Sequence, residues 1–92
     1  MSKYETMMVF TLKNGEEAAK EAVEKFKALI AENGTVESVD EWGTRRLAYL
    51  INDEAEGYYA VYNYSAPVEF PAELDRIVKI NDSVLRSLII AK

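Results

Sequence analysis

Leu47-Ala48-Tyr49-Leu50-Ile51-Asn52-Asp53-Glu54-Ala55-Glu56-Gly57-Tyr58-Tyr59-Ala60-Val61-Tyr62-Asn63-Tyr64 is the stretch that decides the fold. Leu47, Tyr49 and Ile51 alternate with other residues as a strand with one buried face requires. The polar run 52–57 then makes a turn, and the β-prone run Tyr58–Tyr64 folds back as the antiparallel partner of a hairpin. Its four tyrosines offer large, rigid surface, which in a sheet serves core and cross-strand packing first.

Upstream, the strand pattern extends back to Thr35 through Val36 and Val39, with Gly43 interrupting it. An isolated glycine inside a strand marks a bulge. Before that, Ala19, Ala22, Val23, Phe26, Leu29 and Ile30 recur at helical spacing, and the helix ends at Asn33-Gly34. Asn14 is expected to cap it, with Glu17 completing a capping box. Tyr4–Leu12 reads as a first strand. Downstream, Pro71 fits the first turn of a second helix whose Leu74, Ile77 and Val78 face the core. Asn81-Asp82 stops that helix before a last strand, Val84–Ile90.

Strand, helix, strand, strand, helix, strand is the order of an α+β ferredoxin-like βαββαβ sandwich, a four-stranded antiparallel sheet with two helices on one face. The first and third strands are central in that topology and the fourth lies beside the first, which brings Lys3 towards Arg86 and Lys92. The 92 residues, 49% of them hydrophobic, supply one core, so a single domain over 1–92 is expected.

Sixteen acidic against eleven basic residues give a formal charge of -5, so a coat of bulk positive charge for nucleic acid is excluded and any polyanion contact must be local. The charge is unevenly spread: residues 47–75 hold acids and no base, and most charges in 76–92 are basic. Cysteine and histidine are absent, which removes thiolate zinc sites, cysteine nucleophiles and histidine acid–base chemistry. Met1-Ser2-Lys3-Tyr4-Glu5 lacks the basic patch followed by an apolar run that marks a signal peptide, and no apolar run nears the roughly 20 residues of a membrane span, so a cytoplasmic location is expected.

Asp40-Glu41 and the Glu54/Glu56 pair lie at turns and strand ends with no third ligand or nucleophile beside them, and read as solvated surface. Met7 and Met8 read as strand packing. No enzymatic activity, cofactor or metal site is expected. Residues 56–64 share the outline of the third-strand motif of RNA-recognition domains, but Glu56 stands where that motif needs a base, and the first strand has no aromatic on the face of Tyr59. Base stacking across the sheet is therefore not expected. A small-molecule-binding regulatory domain of the same topology is an alternative from another class. An acylphosphatase-like enzyme would need a glycine-rich anion loop where Leu12-Lys13-Asn14-Gly15 stands.

Asp40-Glu41-Trp42-Gly43-Thr44-Arg45-Arg46-Leu47-Ala48-Tyr49 resembles the signature of the bacterial small ribosomal subunit protein six family. Tyr4-Glu5-Thr6-Met7, Glu56-Gly57-Tyr58-Tyr59, Ala72-Glu73-Leu74-Asp75-Arg76 and Ile80-Asn81-Asp82-Ser83-Val84-Leu85-Arg86 match it in the same order. The resemblance implies the ferredoxin-like fold, no catalysis, and binding to small-subunit ribosomal RNA together with small-subunit protein eighteen. Leu50 stands where the family often has proline, and many members continue beyond the position of Lys92.

On that footing Arg45 and Arg46 are the first candidates for phosphate contacts, because a guanidinium fork matches phosphate oxygens. Lys3, Tyr4, Arg86 and Lys92 form a second RNA-binding patch near the terminal strands. Trp42, Tyr49, Tyr59 and Val61 are the candidates for the protein interface, with Gly43 bending the strand between the two sets.

Overall fold

The computed structural model describes residues 2–51 and 54–92, apart from the side chains of 48, 49 and 51. The elements run β1 (Ser2–Phe10), α1 (Glu16–Asn33), β2 (Thr35–Ile51), β3 (Glu54–Ala66), α2 (Phe70–Lys79) and β4 (Val84–Ala91). The strands form one antiparallel sheet in the order β2-β3-β1-β4. This is the expected ferredoxin-like arrangement, with β1 and β3 central.

The register of the central pair separates the two faces. Tyr4, Thr6, Met8 and Phe10 stand opposite Tyr64, Tyr62, Ala60 and Tyr58, and all eight are buried beneath the helices. The α1 stripe of Ala19, Ala22, Val23, Phe26 and Ile30 and the α2 stripe of Phe70, Leu74 and Val78 close over them. Ring contacts lock the layers: Phe10 lies 5.9 Å from Phe26, and Tyr64 meets Phe70 edge-on at 6.0 Å. Each fully buried large side chain contributes roughly 1.5–3 kcal/mol.

Burying tyrosines this deeply requires partners for their hydroxyls. Tyr62 donates to the Val23 carbonyl of α1 at 2.9 Å, Tyr64 shares a 2.8 Å hydrogen bond with Thr6, and Tyr58 donates to the Glu41 carboxylate at 2.9 Å. Among the described residues no buried side-chain nitrogen or oxygen lacks a partner.

Two local expectations are corrected. α1 starts at Glu16 behind Gly15, whose φ of 95° lies in the left-handed region that favours glycine, and no side chain caps it. Asn14 instead sits in the turn closed by Gly15 N–H to the Leu12 carbonyl, and Glu16 and Glu17 meet the positive helix end electrostatically. The polar run expected as a turn over 52–57 already belongs to β3 from Glu54 onwards, where Glu54 pairs with Ile51. The Glu54 carboxylate accepts from the Thr11 hydroxyl at 2.6 and 2.8 Å and from Leu12 N–H at 3.2 Å, which anchors the strand start to the β1–α1 connection. Asn52 and Asp53 of the expected turn lie outside the described residues.

Tyr64→Phe strands the Thr6 hydroxyl in the core and should destabilise the fold by about 1–3 kcal/mol, read as a lower urea midpoint. Adding Thr6→Val removes the orphaned group, and the double variant should recover part of the loss. An equal or greater loss in the double variant would contradict the assignment.

Burial, and then the hydrogen bond and charge of Glu41, push the Tyr58 hydroxyl up to about 12 from the usual 10.0. Burial likewise raises Tyr62 and Tyr64. Below the unfolded value of about 10 the folded and unfolded states hold the same phenol protons; above it the unfolded state loses them first. Stability should therefore stay level to about pH 10 and fall as pH rises towards 12, seen in urea midpoints measured across that window. Tyr58→Phe should reduce the slope.

Candidate functional site

The candidate site depends on how β2 is threaded against β3. The register jumps from Val36↔Tyr64 to Ser38↔Asn63, leaving Glu37 as an extra residue, and from Glu41↔Ala60 to Gly43↔Tyr59, leaving Trp42 as another. Each extra residue reverses which positions of β2 face the helices. Val36 and Val39, three apart, thereby fall opposite the buried Tyr64 and Tyr62. Gly43 takes a φ of 78°, a conformation side-chain-bearing residues rarely adopt.

Beyond this second bulge, Arg45 stands opposite Gly57 and Arg46 opposite Glu56. Arg45 therefore shares the open face with Tyr59, while Arg46 points to the other side. The two arginines are exposed but separated by the sheet. A third irregularity follows between Arg46 and Ile51, and a Cβ on Gly57 would overlap Val9 Cγ1 and lie 3.6 Å from Leu47 Cδ2. The absence of a side chain at Gly57 is what lets both close over the strand.

The open face of the sheet is divided. At one end Trp42 stacks beside Tyr59 with ring centroids 6.2 Å apart and planes within 6°. Trp42 is 48% exposed, and Leu88 and Ile90 of β4 are 46% exposed on the same face. Val61 and Val9, on the two central strands between these groups, are 6% and 1% exposed. The other end is polar: Lys3 pairs with Glu37 at 3.7 Å, Lys92 pairs with Glu5 at 3.5 Å, and Lys92 Nζ donates to Asn63 Oδ1 at 2.6 Å.

Of the six residues expected on RNA, Lys3 and Lys92 are neighbours, joined by Lys92 N–H to the Lys3 carbonyl at 2.9 Å. Arg86 is not with them. It stands opposite Val9, six residues along β1 from Lys3 and so roughly 20 Å away, in the row of Tyr59 and Gly43. Tyr4 is also placed elsewhere: alternation turns it to the helix side, where it packs 5.8 Å from Tyr64 and is 8% exposed. Of the four expected on protein, Trp42 and Tyr59 are brought together with Val61 beneath, and the Tyr49 side chain lies outside the described residues. Leu88 and Ile90 were not among the residues expected; the continuous apolar run 88–91 of the last strand does not by itself say which of its residues face outward.

A surface depression of about 630 Å³ is lined by Thr11, Lys13, Asn14, Glu54, Asp82 and Leu85, away from the Trp42 face. Glu54 in it is engaged by Thr11 and Leu12. Among the described residues no group of three or more acids is placed to hold a metal, and no helix is long and apolar enough to cross a membrane.

The family model described as ribosomal protein S6 matches residues 3–91. Small ribosomal subunit protein bS6 of Clostridium novyi is 48% identical over 98% of this chain and 96% of its own. The bS6 protein of Clostridium botulinum strain Loch Maree is 46% identical over 100% and 99%. The crystal structure of 30S ribosomal protein S6 from Thermotoga maritima superposes with a TM-score of 0.91 at 26% identity, covering 99% of this chain and 87% of that one. An Arabidopsis thaliana protein, with a TM-score of 0.55 and 14% identity, shares the fold alone. The chain belongs to the ribosomal protein S6 family, a structural and non-enzymatic part of the small subunit of the cytoplasmic ribosome.

Proposed function

We propose that the protein binds small-subunit ribosomal RNA jointly with small-subunit protein eighteen, using the open sheet face for the protein and the β2 arginines for RNA phosphates. The observation that carries this reading is the bulge at Trp42-Gly43, which sets the exposed Trp42 stacked on Tyr59 and the Arg45 side chain on one face within a few residues. Trp42, Leu88 and Ile90 together expose apolar surface of the kind that a protein partner covers. Arg45 and Arg46, on opposite sides of the same strand, suit an RNA backbone that passes across the strand edge.

The lysine end contributes less. A phosphate there competes with Glu37 for Lys3 and with Glu5 and Asn63 for Lys92, and each of those interactions is already formed. Arg86 lies level with Tyr59 but on the opposite edge strand from the β2 arginines. With a net charge of -5 the protein alone has little general attraction for RNA, and the partner supplies much of the positive surface.

Arg45→Ala with Arg46→Ala should weaken RNA binding by the two-protein complex. The double variant should also lower the slope of log affinity against log salt by about 0.7–0.9 for each phosphate no longer neutralised. Lys3→Ala and Lys92→Ala should each have smaller effects. Filter binding across a salt series measures both quantities. An unchanged slope in the arginine variant, or tight RNA binding by this protein alone, would count against the reading.

A further inference from the structure

We propose that the Trp42–Tyr59 platform receives an arginine of a basic partner protein, its guanidinium stacked on the outer face of the Trp42 indole and paired with the Asp40 carboxylate. The proposal rests on the reading of the open face as the partner interface and names the chemistry that meets it. Trp42 lies parallel to Tyr59, within 6°, and remains 48% exposed, so part of the indole is open to a planar group. Indole is the strongest cation–π acceptor among side chains, and a planar guanidinium can stack on it while its edge donates to a carboxylate.

Asp40 supplies that carboxylate. It is exposed and stands opposite Val61, the next open-face position along β3 from Tyr59, so it flanks the aromatic pair directly. The lysines of this face are far off at its other end, held by Glu37 and Glu5. Arg45, opposite Gly57, lies beyond Tyr59 on the side away from Asp40. The local field therefore runs from negative at Asp40 to positive past Trp42. An incoming cation is drawn to the Asp40 side and repelled from the other, which fixes its direction of approach. Leu88 and Ile90, on the opposite edge strand of the same face, leave apolar surface for other parts of the partner.

The test uses the complex with small-subunit protein eighteen, with binding followed by calorimetry and by the emission of Trp42, the one tryptophan of the chain. Circular dichroism checks that each variant is folded. Trp42→Ala should weaken the pair about tenfold or more, with Trp42→Phe retaining part of the affinity. Asp40→Asn should weaken it roughly three- to tenfold and flatten its salt dependence. The combined Trp42→Ala and Asp40→Asn variant should lose less than the product of the two, because both act on one cation.

A loss on Trp42→Ala with no effect of Asp40→Asn on affinity or salt slope would overturn the arginine while leaving the open-face interface intact. If neither variant weakens the pair, the interface reading fails with it. A Trp42 emission that changes only when RNA is added would overturn the proposal in favour of a stacked base.

Discussion

Side chains on a strand alternate between two faces, and a sheet covered by helices on only one side must hold that alternation in phase across all its strands. The central pair β1–β3 does so without interruption, placing Tyr4, Thr6, Met8 and Phe10 against Tyr64, Tyr62, Ala60 and Tyr58. The edge strand β2 does not, and its extra residues Glu37 and Trp42 are where the phase is reset. Without the first, Val36 and Val39 would fall on opposite faces; without the second, Arg46 would replace Arg45 beside Tyr59. The structural demand for an apolar inner face and the arrangement of side chains on the outer one are thus met by the same two bulges.

The core on the inner face is unusual in its share of tyrosine, and this ties the layers together by direction as well as by area. A phenylalanine core could slide between near-equivalent packings, whereas Tyr62 must reach the Val23 carbonyl and Tyr64 must reach Thr6. Tyr58 extends the same logic to the sheet edge, since its hydroxyl meets Glu41 of β2 immediately before the Trp42 bulge. That bond joins the rigid central strand to the start of the bulge, so the orientation of Trp42 is inherited from the core rather than from a loop.

Much of this was legible in the sequence because burial leaves a period. The α1 stripe, the tyrosine strand and Pro71 at the start of α2 each follow from a local rule, and their order dictates the topology. Side-chain parity across β2 was not legible. One glycine signalled the second bulge, but nothing in Glu37 marks the first, and a bulge missed by one residue sends every later side chain to the wrong face. Tyr4 was misplaced for a related reason: it follows Lys3 directly, yet adjacent strand residues point in opposite directions, so only Lys3 reaches the surface patch. Arg86 required the β1–β4 register, which sets it beside Val9 rather than beside Lys3.

The fold leaves function undecided, as the shared architecture with an otherwise dissimilar plant protein illustrates. What distinguishes this chain is the pattern of charge around an aromatic step. Acids dominate the solvent side of α1 and the 47–75 region, yet the open face carries Asp40 on one flank of Trp42 and Arg45 on the other. A uniformly basic face would bind RNA without regard to orientation, and a uniformly acidic one would reject it. An aromatic surface with opposite charges on its two sides instead favours a partner that brings its own cation to one flank while RNA phosphates meet the other. On this account a net acidic protein belongs in a ribonucleoprotein because it organises contacts between a basic partner and RNA, and contributes little of the bulk charge that holds them.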